Sequence, residues 1–265
     1  FNLINENFKL QDLKKNKINV LNVNFKFKKA FDKISYSSNL YIKNCFDLAL
    51  KLMNKNSFIG LINGPISKKH FLKFKFKGIT EYLAKKTKTK NFAMLIYNKK
   101  LAVTPITTHV PLKEVPKLIN KNKIINQVIL IRKFYKKFYK KTPRIAITGL
   151  NPHCESKFRN NEENKKIKPA IKYLKTKFKR VSGPYPTDSL FMKNNIKNFD
   201  VVVGMYHDQV LTAIKSLYNF NAINITLGLP FIRISPDHGP NNKMAGRNIS
   251  NPDSLVDAIK FFEKK

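Results

Sequence analysis

The stretch from Asp200 to Pro240 constrains this chain more than any other. Val201 to Met205 is a continuous apolar run led by three valines, as a parallel strand buried on both faces requires, and polar His207, Asp208 and Gln209 follow it closely. Such a strand delivers polar groups to its C-terminal edge. Open α/β sheets place ligands there, because the loops are held by a rigid scaffold yet reach solvent. Ala222 to Leu227 repeats the pattern: an apolar strand carrying Asn224, a break at Gly228 and Pro230, then Arg233, and finally Asp237-His238-Gly239. The class this implies is α/β, with its chemistry at strand ends.

With 265 residues the chain can bury a full core, as one large domain or as two lobes. Its two cysteines, Cys45 and Cys154, form no CxxC and no disulfide framework, which points to a reducing cytoplasm. No apolar run approaches the ~18 to 20 residues of a membrane-spanning helix. The start, at Phe1 rather than methionine, carries no signal-peptide pattern. The 52 Lys and Arg against 16 Asp and Glu give a formal net charge of +36. Clustered on a recognition fold, that charge would signal nucleic acid. Here the lysines are scattered through nearly every segment, beside Asn and Ile, with no zinc-finger, RRM or helix-turn-helix pattern. They read as a solvated surface whose field draws in anionic substrates such as phosphates and dinucleotides.

Along the chain, alternation over Ile18–Phe27 predicts a half-buried strand, and the apolar spacing of Tyr41–Met53 predicts an amphipathic helix. Phe58–Asn63 predicts a short strand that breaks at Gly64-Pro65 and passes into Ser67, Lys68 and Lys69. A lysine there either reaches a phosphate or is simply exposed. Gly78-Ile79-Thr80-Glu81 opens a helix, with Thr80 either capping free backbone N–H groups or helping them hold a phosphate. Ala93–Tyr97 and Leu101–Thr107 predict a hairpin around Asn98-Lys99-Lys100. Pro116–Tyr139 and Asn164–Phe178 predict basic helices, Arg144–Leu150 a strand, and Thr212–Tyr218 a short helix with Lys215 one turn in. Asn251-Pro252-Asp253 supplies the start signal for a closing helix over Ser254–Phe262.

Three predicted strands lead into a histidine, His109, His153 and His207, in a chain with only five. Imidazole is the commonest ligand of zinc and related ions, and three ligands leave a coordination position open for substrate. The separations are too wide for a local metal motif. A shared metal site and three hydrogen-bonded structural histidines therefore both fit the residues alone. Cys154 is either a soft ligand or a small, partly buried residue. Asp188, in the rigid turn Gly183-Pro184-Tyr185-Pro186-Thr187-Asp188, either orients a metal-bound histidine or caps the next helix. Asp208 and Asp237 are open in the same way, as supporting carboxylates or as turn and cap residues.

The strings MYHDQ, the lysine eight residues after its histidine, NITLGLPFIR and DHG, with GPISK, GITE, TTHVPL, GLNPH and GPYPTDSLF in order, resemble the 4-hydroxythreonine-4-phosphate dehydrogenase family. The resemblance spans most of the chain from Gly64 onward. It implies an isocitrate/isopropylmalate dehydrogenase-like α/β fold, two lobes around a central cleft with no boundary assigned, and no standard Rossmann fingerprint. No GxGxxG occurs here. It implies His109, His153 and His207 as ligands of one divalent ion (zinc, magnesium or cobalt), gathered from two subunits of a homodimer. It further implies Thr80, Lys215, Asn224 and Arg233 as substrate-binding positions. Lys215 and Arg233 suit anionic groups, Arg233 through its planar fork, and Asn224 can bridge donors and acceptors. The implied reaction oxidises 4-phosphooxy-L-threonine with NAD or NADP to 2-amino-3-oxo-4-phosphooxybutanoate. That product decarboxylates to 3-amino-2-oxopropyl phosphate, on the way to pyridoxal 5'-phosphate (vitamin B6). No residue is assigned as general base or as a nicotinamide contact.

The chain departs from the family pattern in three places. No segment like GDPxGIGPE precedes the first helix, so an N-terminally truncated unit is expected. Ile79 stands where the family's GHTE has histidine, which removes a substrate contact and keeps a threonate or erythronate 4-phosphate dehydrogenase as the alternative. NPHCES replaces NPHAGE, losing the glycine after His153. A phosphate acyltransferase would share the fold without needing three histidines. A reading of a different class is a catalytically inactive basic binding protein, which salt-dependent DNA binding without metal-dependent turnover would select.

Overall fold

The apolar runs of the chain assemble around one large sheet in the computed structural model, which describes residues 1–27, 29–31, 35–54, 58–73, 75–155, 160–219 and 221–263. The strands are β1 (Asn2–Ile4), β2 (Asn19–Leu21), β3 (Leu61–Ile62), β4 (Ala93–Tyr97), β5 (Ala102–Thr107), β6 (Ile145–Thr148), β7 (Val181–Tyr185), β8 (Val201–Tyr206), β9 (Ile223–Leu227) and β10 (Arg233–Pro236). β1 and β2 form a separate parallel ribbon. The other eight form a mixed sheet in the order β3-β10-β9-β4-β5-β8-β6-β7. The longer helices are α1 (Tyr36–Met53), α2 (Ile79–Lys86), α3 (Lys121–Tyr139), α4 (Lys168–Lys177), α5 (His207–Tyr218) and α6 (Asp253–Glu263). Among the described residues no helix is long and apolar enough to cross a membrane.

The half-sheet β5-β8-β6-β7 is parallel. Val201, Val202 and Val203 at its centre have no exposed surface, which is why this segment is apolar at every position rather than at alternate ones. The half-sheet β10-β9-β4-β5 is antiparallel, and its alternation prepares a site. Ile223, Ile225 and Leu227 of β9 and Ile234 of β10 enter the main core. The pleat turns Asn224, Thr226, Arg233 and Ser235 to the opposite face. Asn224 pairs with Ser235 and Thr226 with Arg233, so four polar side chains share one patch of sheet.

The β4–β5 hairpin forms as predicted, and the buried strand at 201–205 runs one residue further as β8. Elsewhere local pattern overreaches. Only Asn19–Leu21 of the strand expected over 18–27 finds a partner, and only Leu61–Ile62 of that expected over 58–63. A strand needs a neighbour for its N–H and C=O groups, and alternation alone supplies none. The helix expected over 116–139 breaks at Ile119, whose backbone is extended (φ −72°, ψ 129°). It restarts at Asn120, whose side chain accepts the Lys123 N–H at 2.9 Å. A π-helical turn over Glu163–Ile167 precedes α4. The helix expected from Thr212 begins instead at His207, which puts Lys215 two turns in.

Candidate active site

A cleft of about 800 Å³ is lined by Thr80, His109, His207, Lys215, Asn224 and Arg233, six of the seven site residues that the resemblance implies. His109 follows β5 and His207 follows β8. These strands are parallel neighbours, with Thr107 opposite Tyr206, so the two imidazoles leave adjacent strand ends and their ring centroids lie 5.7 Å apart. Leu211 and Lys215 follow His207 at four-residue spacing and line the same cleft from one face of α5. Gly204 lets that helix approach its own strand: a Cβ there would lie 2.4 Å from Val210 Cγ1.

Arg233 anchors the cleft wall. It is 3% exposed, its Nε donates to Asn63 Oδ1 at 2.6 Å, and its Nη1 donates to Thr226 Oγ1 at 3.2 Å. Burial lowers its pKa to about 10, against the pull of the Glu81 carboxylate, so it remains a cation at neutral pH. Thr80 does not cap α2; Gly78 occupies the cap position. The Thr80 hydroxyl instead lies 3.4 Å from that of Thr226 and so next to the Arg233 fork. Asn224 Oδ1 is buried and has no hydrogen-bond partner among the described residues. Lys215 Nζ donates to Asp237 Oδ2 at 2.9 Å and to the Asp237 carbonyl at 3.2 Å. Burial still pushes the Asp237 carboxyl above its ordinary range.

The two imidazoles are prepared differently. His207 Nδ1 lies 2.6 Å from Asp208 Oδ1, a contact that orients the ring through one nitrogen and leaves the other, Nε2, as the one to meet an ion. Asp208 is thus placed to support that ring. Burial first, then the charges of Lys68, His207 and Lys77, push His109 down to about 4, so it is neutral at neutral pH, the form a metal binds. Lys68 Nζ is 3.5 Å from His109 Nε2, so the GPISK lysine faces this site. Both imidazoles fit a divalent ion. His153 is not with them: it sits exposed, at φ 56°, in the turn Pro152–Cys154, outside the cleft lining. Among the described residues of one chain, no group of three or more His, Cys, Asp or Glu side chains could hold a metal. One chain brings two imidazoles together and leaves the third on its surface.

Asp188 is exposed and accepts the N–H of its neighbour Ser189 at 2.7 Å, inside a one-turn helix whose cap position is Pro186, so the contact is not a helix cap. Cys154 is buried and burial raises its thiol pKa, as suits a small packed residue rather than a soft ligand. Ser156 of the NPHCES string lies outside the described residues.

Sequence reading missed Glu163 altogether and took Gln209 only as one more polar group. Glu163 has no exposed surface and accepts the N–H groups of Leu150 and Asn151 at 2.7 and 2.8 Å and the Asn151 amide at 2.7 Å. It clamps the start of the loop that carries His153. Gln209 accepts from Met205 N–H at 2.6 Å and Thr148 Oγ1 at 3.0 Å, and donates to the Gly149 carbonyl at 2.8 Å and Thr187 Oγ1 at 2.9 Å. It ties together β6, β8 and the turn after β7. No local pattern marks either residue, since each has its partners in other elements.

Burial alone would raise the Glu163 carboxyl, but the Asn151 and Leu150 donors outweigh it and hold the group below its ordinary value. Its folded-state pKa is therefore below the unfolded one. The resulting stability is present above the unfolded pKa and is lost as pH falls through the folded pKa. Glu163→Gln is expected to lose about 1–3 kcal/mol at neutral pH. The gap to the parent protein should narrow below about pH 4. Urea midpoints measured against pH check this, and a gap of constant size would remove the ionised carboxylate from the account.

The chain matches the family described as "Pyridoxal phosphate biosynthetic protein PdxA" over residues 1–262. It is 42% identical over 248 residues to the 4-hydroxythreonine-4-phosphate dehydrogenase of Sulfurihydrogenibium sp. strain YO3AOP1, covering 92% of this chain and 75% of that protein. A relative from Oceanobacillus iheyensis, provisionally named D-threonate 4-phosphate dehydrogenase, is 36% identical over 216 residues, 80% of this chain and 64% of that protein. The crystal structure of 4-hydroxythreonine-4-phosphate dehydrogenase from Klebsiella pneumoniae superposes with a TM-score of 0.77 at 31% identity, over 88% of this chain and 72% of that one. Similarity in sequence along nearly the whole chain, and in fold along most of it, place this protein in the PdxA family of pyridoxal phosphate biosynthetic proteins.

Proposed function

We propose that this protein oxidises 4-phosphooxy-L-threonine with NAD or NADP in a divalent-metal-dependent reaction. The product, 2-amino-3-oxo-4-phosphooxybutanoate, then decarboxylates to 3-amino-2-oxopropyl phosphate for pyridoxal 5'-phosphate synthesis. One observation carries this reading: Arg233, Lys215, Asn224 and Thr80 converge with His109 and His207 on a single cleft. Arg233 and Thr80 meet at the Thr226 hydroxyl and can take one anionic oxygen group together, the guanidinium by charge and the threonine by hydrogen bond. Lys215, held by Asp237, brings a second cation to the His207 side of the cleft. Oxidation moves a hydride from the hydroxyl-bearing carbon to the nicotinamide and releases the hydroxyl proton. His109, His207 and a His153 contributed across a homodimer interface would hold a divalent ion (zinc, magnesium or cobalt), which would supply Lewis-acid polarisation of that hydroxyl. A two-lobed arrangement around the cleft and a cytoplasmic location belong to the same proposal.

Ile79 favours a second reading, D-threonate 4-phosphate as substrate. Its side chain is buried in the apolar cluster beneath α2 and offers no hydrogen bond where the family has an imidazole. Nicotinamide reduction with each substrate, with divalent metal and with chelator, separates the two. Chelator-sensitive turnover of the threonine compound is the expected result. Turnover of the threonate compound alone would move the assignment to the second reading. Folded, metal-loaded protein that turns over neither and binds DNA in a salt-dependent way would leave the basic binding protein in its place.

A further inference from the structure

Among the described residues of the cleft, Lys68, Lys77, Lys90, Lys123, Lys215 and Arg233 face two carboxylates, Glu81 and Asp237. Asp237 is committed, since its Oδ2 takes the Lys215 ammonium and its backbone N–H donates to Ser254 Oγ. Glu81 is different. Its Oε2 is buried and has no hydrogen-bond partner among the described residues, although the cleft is lined with lysines. Its place is defined by Gly78: a Cβ built there would lie 3.0 Å from Glu81 Oε2 and 3.7 Å from His109 Cε1. Carboxylate and imidazole therefore flank the same bare backbone position. A buried carboxylate oxygen without a donor is unfavourable, and a ligand that brings the donor relieves it. A primary ammonium brings three N–H groups and the opposite charge.

We propose that Glu81 binds the amino group of the substrate and makes this cleft selective for an amino-acid phosphate over the corresponding hydroxy-acid phosphate. The inference rests on the reading of the protein as a dehydrogenase of phosphorylated four-carbon acids, and it chooses between that reading's two substrates. Covalent connectivity supports it. The carbon that bears the amino group is bonded to the carbon that bears the reacting hydroxyl. An ammonium held at Glu81 therefore sets that hydroxyl beside His109. The phosphate, at the far end of the same short chain, is left to the Arg233 and Thr80 side. A hydroxyl in place of the ammonium could still donate to Glu81, but without the charge that makes such a bond strong. The plain alternative is structural: Glu81 is an acid in the first turn of α2, where it favours the helix whatever the ligand.

Calorimetric titration of the full chain with 4-phosphooxy-L-threonine and with D-threonate 4-phosphate, for the parent protein, Glu81→Gln and Glu81→Asp, separates these. Glu81→Gln is expected to weaken the amino compound on the order of tenfold to a hundredfold, with the threonate compound little changed. Glu81→Asp, which keeps the charge, should recover part of the loss. Equal weakening of both compounds would overturn the proposal in favour of the structural role, and so would no weakening of either. A parent protein that prefers the threonate compound would also overturn it. If the parent binds both compounds but oxidises neither, the dehydrogenase reading fails while the binding ratio still decides the role of Glu81. Binding of neither would end both.

Discussion

Arg233→Met is expected to lower kcat/KM for the phosphorylated substrate on the order of a hundredfold to a thousandfold, because it removes one partner of a desolvated charge pair. The size follows from where the guanidinium sits. It is almost wholly buried, its fork is pre-aimed by Asn63 and Thr226, and it is still charged at neutral pH although burial has lowered its pKa to about 10. A cation already stripped of water and held by two side chains has little left to reorganise when an anion arrives. The substitution also leaves Asn63 Oδ1 without its donor and removes the attraction between Arg233 and the Glu81 carboxylate. Arg233→Lys should recover little, since an ammonium cannot span Asn63, Thr226 and a ligand with one planar group. Steady-state kinetics with a thermal melt of each variant check this. A variant within a few-fold of the parent would remove Arg233 from the anion site.

His207→Ala is expected to abolish metal binding and to cost turnover on the order of a thousandfold or more, the scale of a lost Lewis acid. Asp208→Asn keeps the imidazole but weakens its orientation through Nδ1, for an expected loss of about tenfold to a hundredfold in metal affinity. His153→Ala is the sharper experiment. It should be as damaging as His207→Ala, although His153 lies outside the cleft of its own chain. On the proposed shared site, each inactive variant carries what the other lacks, so a heterodimer of the two would rebuild one intact site. Equal mixing with subunit exchange should restore about a quarter of parent activity, because half the dimers are mixed and each has one working site of two. Bound zinc by equilibrium dialysis and turnover of the mixture are the measurements. Activity of His153→Ala alone at the parent level, or a mixture with no recovery, would sink the shared site.

Much of the architecture is written locally. The valines of 201–203 demand burial on both faces and receive it in β8, while the alternation of 223–227 and 233–235 puts isoleucine on one side and Asn224, Thr226 and Arg233 on the other. The resemblance supplied the seven site residues, and the fold brings six of them to one cleft. Local reasoning failed where a structure depends on its partner. The residues after Leu21 alternate as well as those before, yet have no strand to pair with among the described residues. The start of α5 was hidden because its cap position, Tyr206, supplies no side-chain hydrogen bond of the kind that marks a helix in sequence.

By itself the sequence determined which faces are apolar, where strands deliver their polar groups, and, through its motifs, the family. Only the tertiary structure decided which polar groups meet and which are left wanting. Arg233 finds Asn63 across 170 positions and Thr80 finds Thr226 across 146. It also placed His153 outside the cleft, buried Glu163 under the loop before it, and left Glu81 Oε2 without a donor. Periodicity is a property of neighbours a few residues apart, whereas desolvation and hydrogen-bond satisfaction are set by whatever the folded chain brings from far away.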